Sequence, residues 1–199
     1  MTFVSAKPAA WRRPLTLATL ITLPALAGCA TATVDAVQVE ARMAGDGTDV
    51  TNHVTLTATA PGVALTPVES PGRFVAEPPL PSGTRVTATA RAQGVRADGQ
   101  ANVSPGNALI PVPIADTAFL KVKVTGKPDE QETVVEVYPK GGGRVMERPV
   151  GPNGTVGLFR APGDVRVRAA VDGTDFPRRD LRLTAGEAET LTLDTNFVS

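Results

Sequence analysis

A single histidine limits the acid–base chemistry open to this chain. A Ser-His-acid triad would have to use His53 as its base, because the sequence holds no other histidine. The serines after residue 30 are Ser70, Ser82, Ser104 and Ser199, and none lies in a Gly-x-Ser-x-Gly segment. His53 follows Asn52 at the start of a predicted strand, so we interpret it as a turn or strand-edge residue. We therefore expect no enzyme activity and no catalytic residue, and a hydrolase with His53 as its base is the competing hypothesis.

Two aspartate-rich segments could offer carboxylates to a calcium ion. Residues 45–49 read Gly-Asp-Gly-Thr-Asp, and residues 172–175 read Asp-Gly-Thr-Asp. Calcium takes about six to eight oxygen ligands from a shaped loop, and neither segment has the EF-hand spacing or its distal glutamate. Hairpin turns favour the same residue types for their backbone angles. We interpret both segments as turns and expect neither a metal nor a cofactor.

Basic residues concentrate near the end of the chain. Arg166 and Arg168 project from one face of a predicted strand, and Arg178, Arg179 and Arg182 follow. Such a face could contact anionic lipid headgroups or an acidic partner. Acidic residues nearby balance the charge, so we favour a solvated surface.

Two further features bear on ligand binding. Residues 140–144 read Lys-Gly-Gly-Gly-Arg and lack the spacing of a phosphate-binding loop, which indicates a flexible connection. Glycan binding uses exposed aromatic side chains, but most aromatic residues here lie in strand patterns typical of a core. A lectin is therefore not the favoured interpretation.

The N-terminal segment has the three parts of a secretory signal. Lys7, Arg12 and Arg13 precede an apolar run from Leu15 to Ala27, and no acidic residue occurs before Asp35. That run is shorter than the roughly 20 residues that a membrane-spanning helix needs. A basic start followed by a short apolar stretch predicts a signal peptide over residues 1–28.

The end of this segment resembles the lipobox of bacterial lipoproteins. The matching residues are Leu26, Ala27, Gly28 and Cys29. The resemblance implies cleavage before Cys29 and acylation of its thiol, palmitate being a typical chain, with residues 29–34 as a lipidated tether. Several acyl chains hold a protein firmly on a membrane. Because Ala30 rather than aspartate follows, the resemblance implies the periplasmic face of the outer membrane in a Gram-negative cell.

Composition excludes several protein classes. The chain has 199 residues, with 20 basic and 20 acidic side chains, 19 Gly and 18 Pro. Long helices do not tolerate that much glycine and proline, and a neutral chain does not suit binding to nucleic acid by bulk electrostatics. Loss of residues 1–28 leaves 17 basic residues against 20 acidic ones, a formal charge of −3. One cysteine allows no disulfide within the chain.

Alternation of apolar and polar residues dominates the rest of the sequence. A period of two with one polar face predicts half-buried strands, and turn residues separate the runs at the rhythm of a β-sandwich. The apolar positions are Val37, Val39, Ala41, Met43, Val54, Leu56, Ala58, Ala60, Val86, Ala88, Ala90, Ala92, Leu120, Val122, Val124, Val135, Val137, Val165, Val167, Ala169, Val171, Leu181, Leu183, Leu191 and Leu193. We predict an all-β fold with no helix after the signal.

An internal repeat of about 80 residues divides this region. Gly72-Arg73-Phe74 corresponds to Gly154-Thr155-Val156, and Gly106 corresponds to Gly186. The alternating apolar residues begin one residue later after Gly83 than after Gly163. Matching the two repeats therefore requires an insertion or a bulge. We predict two tandem antiparallel Greek-key β-sandwich domains, at residues 35–115 and 117–199. The Pro111-Val112-Pro113 segment at the junction fits an edge strand or a stiff connector.

The second repeat resembles the carboxypeptidase-regulatory-like or transthyretin-like β-sandwich modules of secreted bacterial proteins. The matching segments are 154–158 (Gly-Thr-Val-Gly-Leu), Pro162-Gly163, 165–171 and 191–193. The resemblance implies a binding or spacer module rather than an enzyme.

These observations lead to one main hypothesis and one alternative. The main hypothesis is a non-enzymatic, lipid-anchored cell-envelope protein that acts as a structural or protein-binding module. Its expected partners are the membrane, through the N-terminal acyl chains, and an envelope protein, but not nucleic acid. The alternative is an envelope lipoprotein that binds a glycan, a lipid or a cation.

Overall fold

The computed structural model describes residues 32–106, 108–126, 132–172, 174–176 and 178–195. They form fifteen strands: β1 (Thr33–Met43), β2 (Thr55–Thr59), β3 (Ala64–Pro67), β4 (Arg73–Pro81), β5 (Arg85–Ala92), β6 (Val95–Asn102), β7 (Leu109–Ile114), β8 (Ala118–Thr125), β9 (Thr133–Pro139), β10 (Met146–Pro149), β11 (Thr155–Arg160), β12 (Gly163–Val171), β13 (Thr174–Asp175), β14 (Arg179–Leu183) and β15 (Ala188–Asp194). A 3-10 turn over Thr51–His53 is the one helical segment of the described residues. The all-β prediction is confirmed, and the helix-free prediction misses only this turn.

Strands β1–β7 build the first sandwich. One sheet has the order β3-β4-β1-β7 and the other has the order β2-β5-β6. Strand β7 lies parallel to β1, so the first and last strands of the unit are neighbours. Apolar residues of both sheets share one core, including Val39 and Leu80 from the first sheet and Val86 from the second.

Strands β8–β15 repeat this arrangement. One sheet has the order β11-β8-β15, and the other has the order β10-β9-β12 with β13 and β14 both beside β12. The last strand is again parallel to the first, here β15 to β8. The third strand differs between the repeats, because β3 pairs with β4 whereas β10 pairs with β9.

The predicted apolar positions all face the interior. Every apolar residue of the alternating pattern is buried or partly buried, and the intervening polar residues are exposed or partly exposed. The alternating apolar residues begin one residue later after Gly83 than after Gly163, and this difference has a structural cause. Gly83 lies in a turn before β5 begins at Arg85, whereas Gly163 is itself the first residue of β12. The predicted boundary between residues 115 and 117 stays a prediction, since Phe119 and Phe159 from the second repeat belong to the first core.

The two sheets of the first sandwich approach closely where β6 meets β7. Pro111 and Pro113 lie on β7 and have no N–H to donate, so a continuous ladder to β6 cannot form there. A side chain at Gly99 on β6 would place its Cβ atom 2.1 Å from the carbonyl oxygen of Pro111. Proline on one strand and glycine on the other therefore allow backbone-to-backbone packing. The edge-strand interpretation of residues 111–113 is confirmed.

Replacement of Gly99 by alanine is expected to destabilise the first sandwich. Because backbone must move to admit the methyl group, we expect a loss of about 1–3 kcal/mol in the free energy of unfolding, measured by urea denaturation. Gly141→Ala is the matched control, since a Cβ atom there meets open space. Equal stability of the two variants would contradict the close packing.

Candidate functional site

The predicted lipidation site lies outside the described residues. Leu26, Ala27, Gly28 and Cys29 all precede residue 32, where the description of the structure begins. Among the described residues, none belongs to a helix long and apolar enough to cross a membrane.

The contact between the sandwiches begins with a row of apolar side chains on the outer face of the β11-β8-β15 sheet. Phe159, Phe119 and Ala188 are aligned across these three strands. Their neighbours Leu158 and Leu120 point into the second core, so the row points the other way. There all three pack against the core of the first sandwich. These three side chains of the second sandwich thereby complete the core of the first.

Aromatic contacts extend this row to His53. The rings of Phe119 and Phe159 lie 5.0 Å apart between centroids, and His53 lies 4.7 Å from Phe119 in a tilted arrangement. Gly157 makes room, because a Cβ atom there would lie 2.7 Å from Cε1 of His53. Burial and the charge of Lys121 lower the pKa of His53, and Asp49 opposes them. The structure thus places His53 in a turn, as predicted, but also against the second sandwich.

Gln93 caps the free edge of β11. Its side-chain oxygen accepts a hydrogen bond from the backbone N–H of Phe159 at 2.9 Å. Gln93 and Gly94 form the tight turn between β5 and β6, with φ angles of 48° and 85°. A positive φ is uncommon for a residue with a side chain. The turn therefore directs a side-chain acceptor from the first sandwich onto an unpaired donor of the second.

Asp46 joins the sandwiches at a third point. Its carboxylate accepts hydrogen bonds from the backbone N–H groups of Ala188 at 2.8 Å and Thr48 at 2.9 Å. The neighbouring N–H of Gly45 donates to the carbonyl of Gly186 at 2.7 Å. The turn predicted over residues 45–49 is confirmed, and the Asp46 carboxylate binds one backbone N–H of its own turn and one of the other repeat. Burial raises the pKa of Asp46, but these hydrogen bonds outweigh it and the net pKa lies below the ordinary 3.8.

Replacement of Asp46 by alanine is expected to weaken this contact in a pH-dependent way. Hydrogen bonds to a charged group contribute about 1–2 kcal/mol at such an exposed position. Because folding lowers the pKa of Asp46, its contribution is complete above pH 3.8 and declines as pH falls through the folded-state pKa.

Thermal unfolding at pH 7 and pH 3 tests this expectation. The difference between wild type and Asp46→Ala should be largest at pH 7, and Asp35→Ala serves as an exposed control. A difference that grows towards pH 3 would contradict the assigned role.

The predicted basic face exists, but carboxylates neutralise much of it. Arg166 donates to Asp180 at 2.8 Å, and Lys140 forms an ion pair with the same carboxylate at 2.8 Å. Arg168 forms an ion pair with Glu136, whose carboxylate also accepts a 2.5 Å hydrogen bond from the Tyr138 hydroxyl. The hydrogen bonds from Arg166 and Lys140 hold the pKa of Asp180 far below its usual range. The hydrogen bond from Arg168 likewise lowers the pKa of Glu136, against a smaller effect of burial.

A cavity of about 340 Å³ lies on this face. It is lined by Tyr138, Pro139, Lys140, Arg166, Arg168 and Arg178. Arg179 differs from the other predicted arginines, because it pairs in register with the buried Val167 and so belongs to the opposite side of the sheet. The ion pairs favour the solvated-surface interpretation.

Sequence reasoning missed the roles of Asp46, Gln93, Phe119 and Phe159. One signal was present for the phenylalanines, because each stands beside another apolar residue and breaks the alternation. Both faces of such a strand are covered. No local signal marks Asp46 or Gln93, whose bonding partners lie 142 and 66 residues away in the chain.

Comparison with known proteins gives no family for this chain. No family model and no curated protein match it. Among solved structures, the TIE protein of Bacillus anthracis is 13% identical with a TM-score of 0.32, over 79% of this chain and 38% of that one. BcpA, the major pilin subunit of Bacillus cereus, is 13% identical with a TM-score of 0.32, over 72% and 56%.

A candidate cell adhesion protein from Bacteroides ovatus is 10% identical with a TM-score of 0.39, over 82% of this chain and 92% of that one. The chain thus spans between a third and three fifths of the TIE protein and of BcpA. At TM-scores below 0.5, we take no function from these proteins.

Proposed function

We propose that this chain is a non-enzymatic, lipid-anchored protein of the bacterial cell envelope. In this proposal Cys29 carries the acyl chains, and the two sandwiches form one stiff unit that presents a protein-binding surface away from the membrane. The transthyretin-like resemblance is compatible with such a spacer and stays a prediction.

The observation that carries the proposal is the contact between the sandwiches. A flexible tether between modules needs no specific bonds, but here three kinds of contact along one row of residues join them. These are the aromatic row at Phe119, the side-chain cap at Gln93 and the carboxylate at Asp46. A chain that holds its modules in one fixed arrangement suits a structural role, because a stiff connection transmits position and force.

Crosslinking in intact cells tests the protein-binding role. A photoreactive amino acid is placed at exposed positions of each sandwich, such as Thr57 on β2 and Arg182 on β14. We expect discrete crosslinked products with an envelope protein from at least one position. The same label in a Cys29→Ala background should lose these products if anchoring brings the partners together. Absence of a product from every exposed position would contradict a protein-binding role.

A further inference from the structure

The third strand of each sandwich, β3 or β10, pairs with a different neighbour. This difference leaves a gap in the second sandwich. In the first sandwich β3 pairs with β4 and extends the sheet. In the second, β10 pairs with β9 instead, so β11 is an edge strand of its own three-stranded sheet. A cleft of about 550 Å³ lies between β10 and the end of β11, and such a volume is ample for a small ligand.

Arginines from both sides line this cleft. Met146 and Arg148 pair in register with the buried Val137 and Val135, so both point towards the interior side of their sheet. Arg160 follows the buried Leu158 by two residues, and therefore points inward from the opposite sheet. The exposed Arg144 completes the basic part of the lining. Three arginines thus line one cleft at a position that strand pairing closes in the first sandwich.

These arginines lack the carboxylate partners that the basic face has. The ion pairs among the described residues include none of Arg144, Arg148 and Arg160. Nε of Arg160 is buried and has no hydrogen-bond partner among the described residues. A buried charged donor without a partner is costly, and an oxyanion would relieve that cost. Glu147 is the one acid among the lining residues, which leaves two positive charges in excess.

We propose that this arginine cleft binds a phosphate monoester group. A phosphate monoester carries up to two negative charges and three terminal oxygens, which match the excess charge and the three guanidinium groups. Arginine binds such groups through paired, charge-assisted hydrogen bonds. A carboxylate offers one charge and two oxygens, and so would leave part of the cleft unsatisfied. The phosphate could belong to a free phosphorylated saccharide or to a lipid headgroup.

Calorimetric titration of the full chain carrying Cys29→Ala tests the site, since that change removes the acyl chains from the experiment. The probes are inorganic phosphate, a hexose phosphate, and phosphatidylcholine vesicles with and without phosphatidic acid. We expect Arg148→Gln and Arg160→Gln each to weaken phosphate binding about tenfold, as loss of a charge-assisted bond should. Arg182→Gln, an exposed arginine on the outer face, should change the affinity less than twofold.

The choice of probes also separates the two sources of the phosphate group. Stronger binding of the hexose phosphate than of phosphate supports a soluble saccharide ligand, whereas arginine-dependent binding only to phosphatidic acid vesicles supports a headgroup. If Arg160→Gln fails to fold, the exposed Arg144 and Arg148 carry the test. No binding of any probe, or binding that Arg144→Gln, Arg148→Gln and Arg160→Gln all leave unchanged, would overturn the proposal.

Discussion

Replacement of Cys29 by alanine is expected to release the protein from the membrane fraction. The lipobox resemblance makes this thiol the point of acylation, and one chain alone gives an association constant of about 10⁴ M⁻¹ with a bilayer. Each buried CH₂ group contributes about 0.8 kcal/mol, so several chains add far more. Loss of all of them should lower membrane partitioning by several orders of magnitude.

Fractionation combined with mass spectrometry measures this effect. Wild type should be found in the washed membrane pellet, with a mass that corresponds to cleavage before Cys29 plus acyl chains. Cys29→Ala should appear in the supernatant with no added lipid, while the neighbouring Thr31→Ala behaves as wild type. An unmodified Cys29 in the wild-type product would disprove the anchoring hypothesis.

Replacement of Phe159 by alanine is expected to have the largest effect on the folded region. Phe159 is 2% exposed and packs against the core of the first sandwich although it belongs to the second. Truncation of a buried phenylalanine costs about 3–5 kcal/mol. The ring also packs on Phe119, and the backbone N–H of Phe159 donates to the side-chain oxygen of Gln93, so the contact between the sandwiches should loosen as well.

Leu158→Ala is the matched control for this substitution. Leu158 is 0% exposed and faces the second core, so its truncation should cost about 2–5 kcal/mol without loosening the contact. Chemical denaturation measures the stability of both variants, and limited proteolysis of the segment between β7 and β8 measures the contact. We expect faster cleavage in Phe159→Ala only. Equal cleavage of both variants would show that Phe159 does not hold the sandwiches together.

Much of the strand pattern could be predicted because half-buried strands leave a local record. The alternation at Val37–Met43 and Val165–Val171 correctly predicted β1 and β12. Strand β6 was missed, since its inward positions include Ala97, Gly99 and Ala101, which carry little hydrophobic signal. Small residues are needed there because β7 packs so close.

The contact between the sandwiches could be predicted only in part. The adjacent apolar residues Ala118-Phe119-Leu120 indicate a strand covered on both faces, but not by what. Asp46 has the same local sequence whether it closes a turn, binds a cation or accepts a bond from Ala188. Its role depends on the tertiary fold, which brings the distant backbone N–H of Ala188 to it.

The distance between the sandwiches in solution tests the central claim most directly. Nitroxide labels are attached at Thr57→Cys and Arg182→Cys in the Cys29→Ala chain, which then has two thiols, and double electron–electron resonance measures their separation. A stiff unit predicts one narrow distance distribution in the otherwise unchanged chain and in Leu158→Ala, and a broad one in Phe159→Ala. A broad distance distribution in the labelled chain that carries no substitution at the contact would contradict a stiff unit.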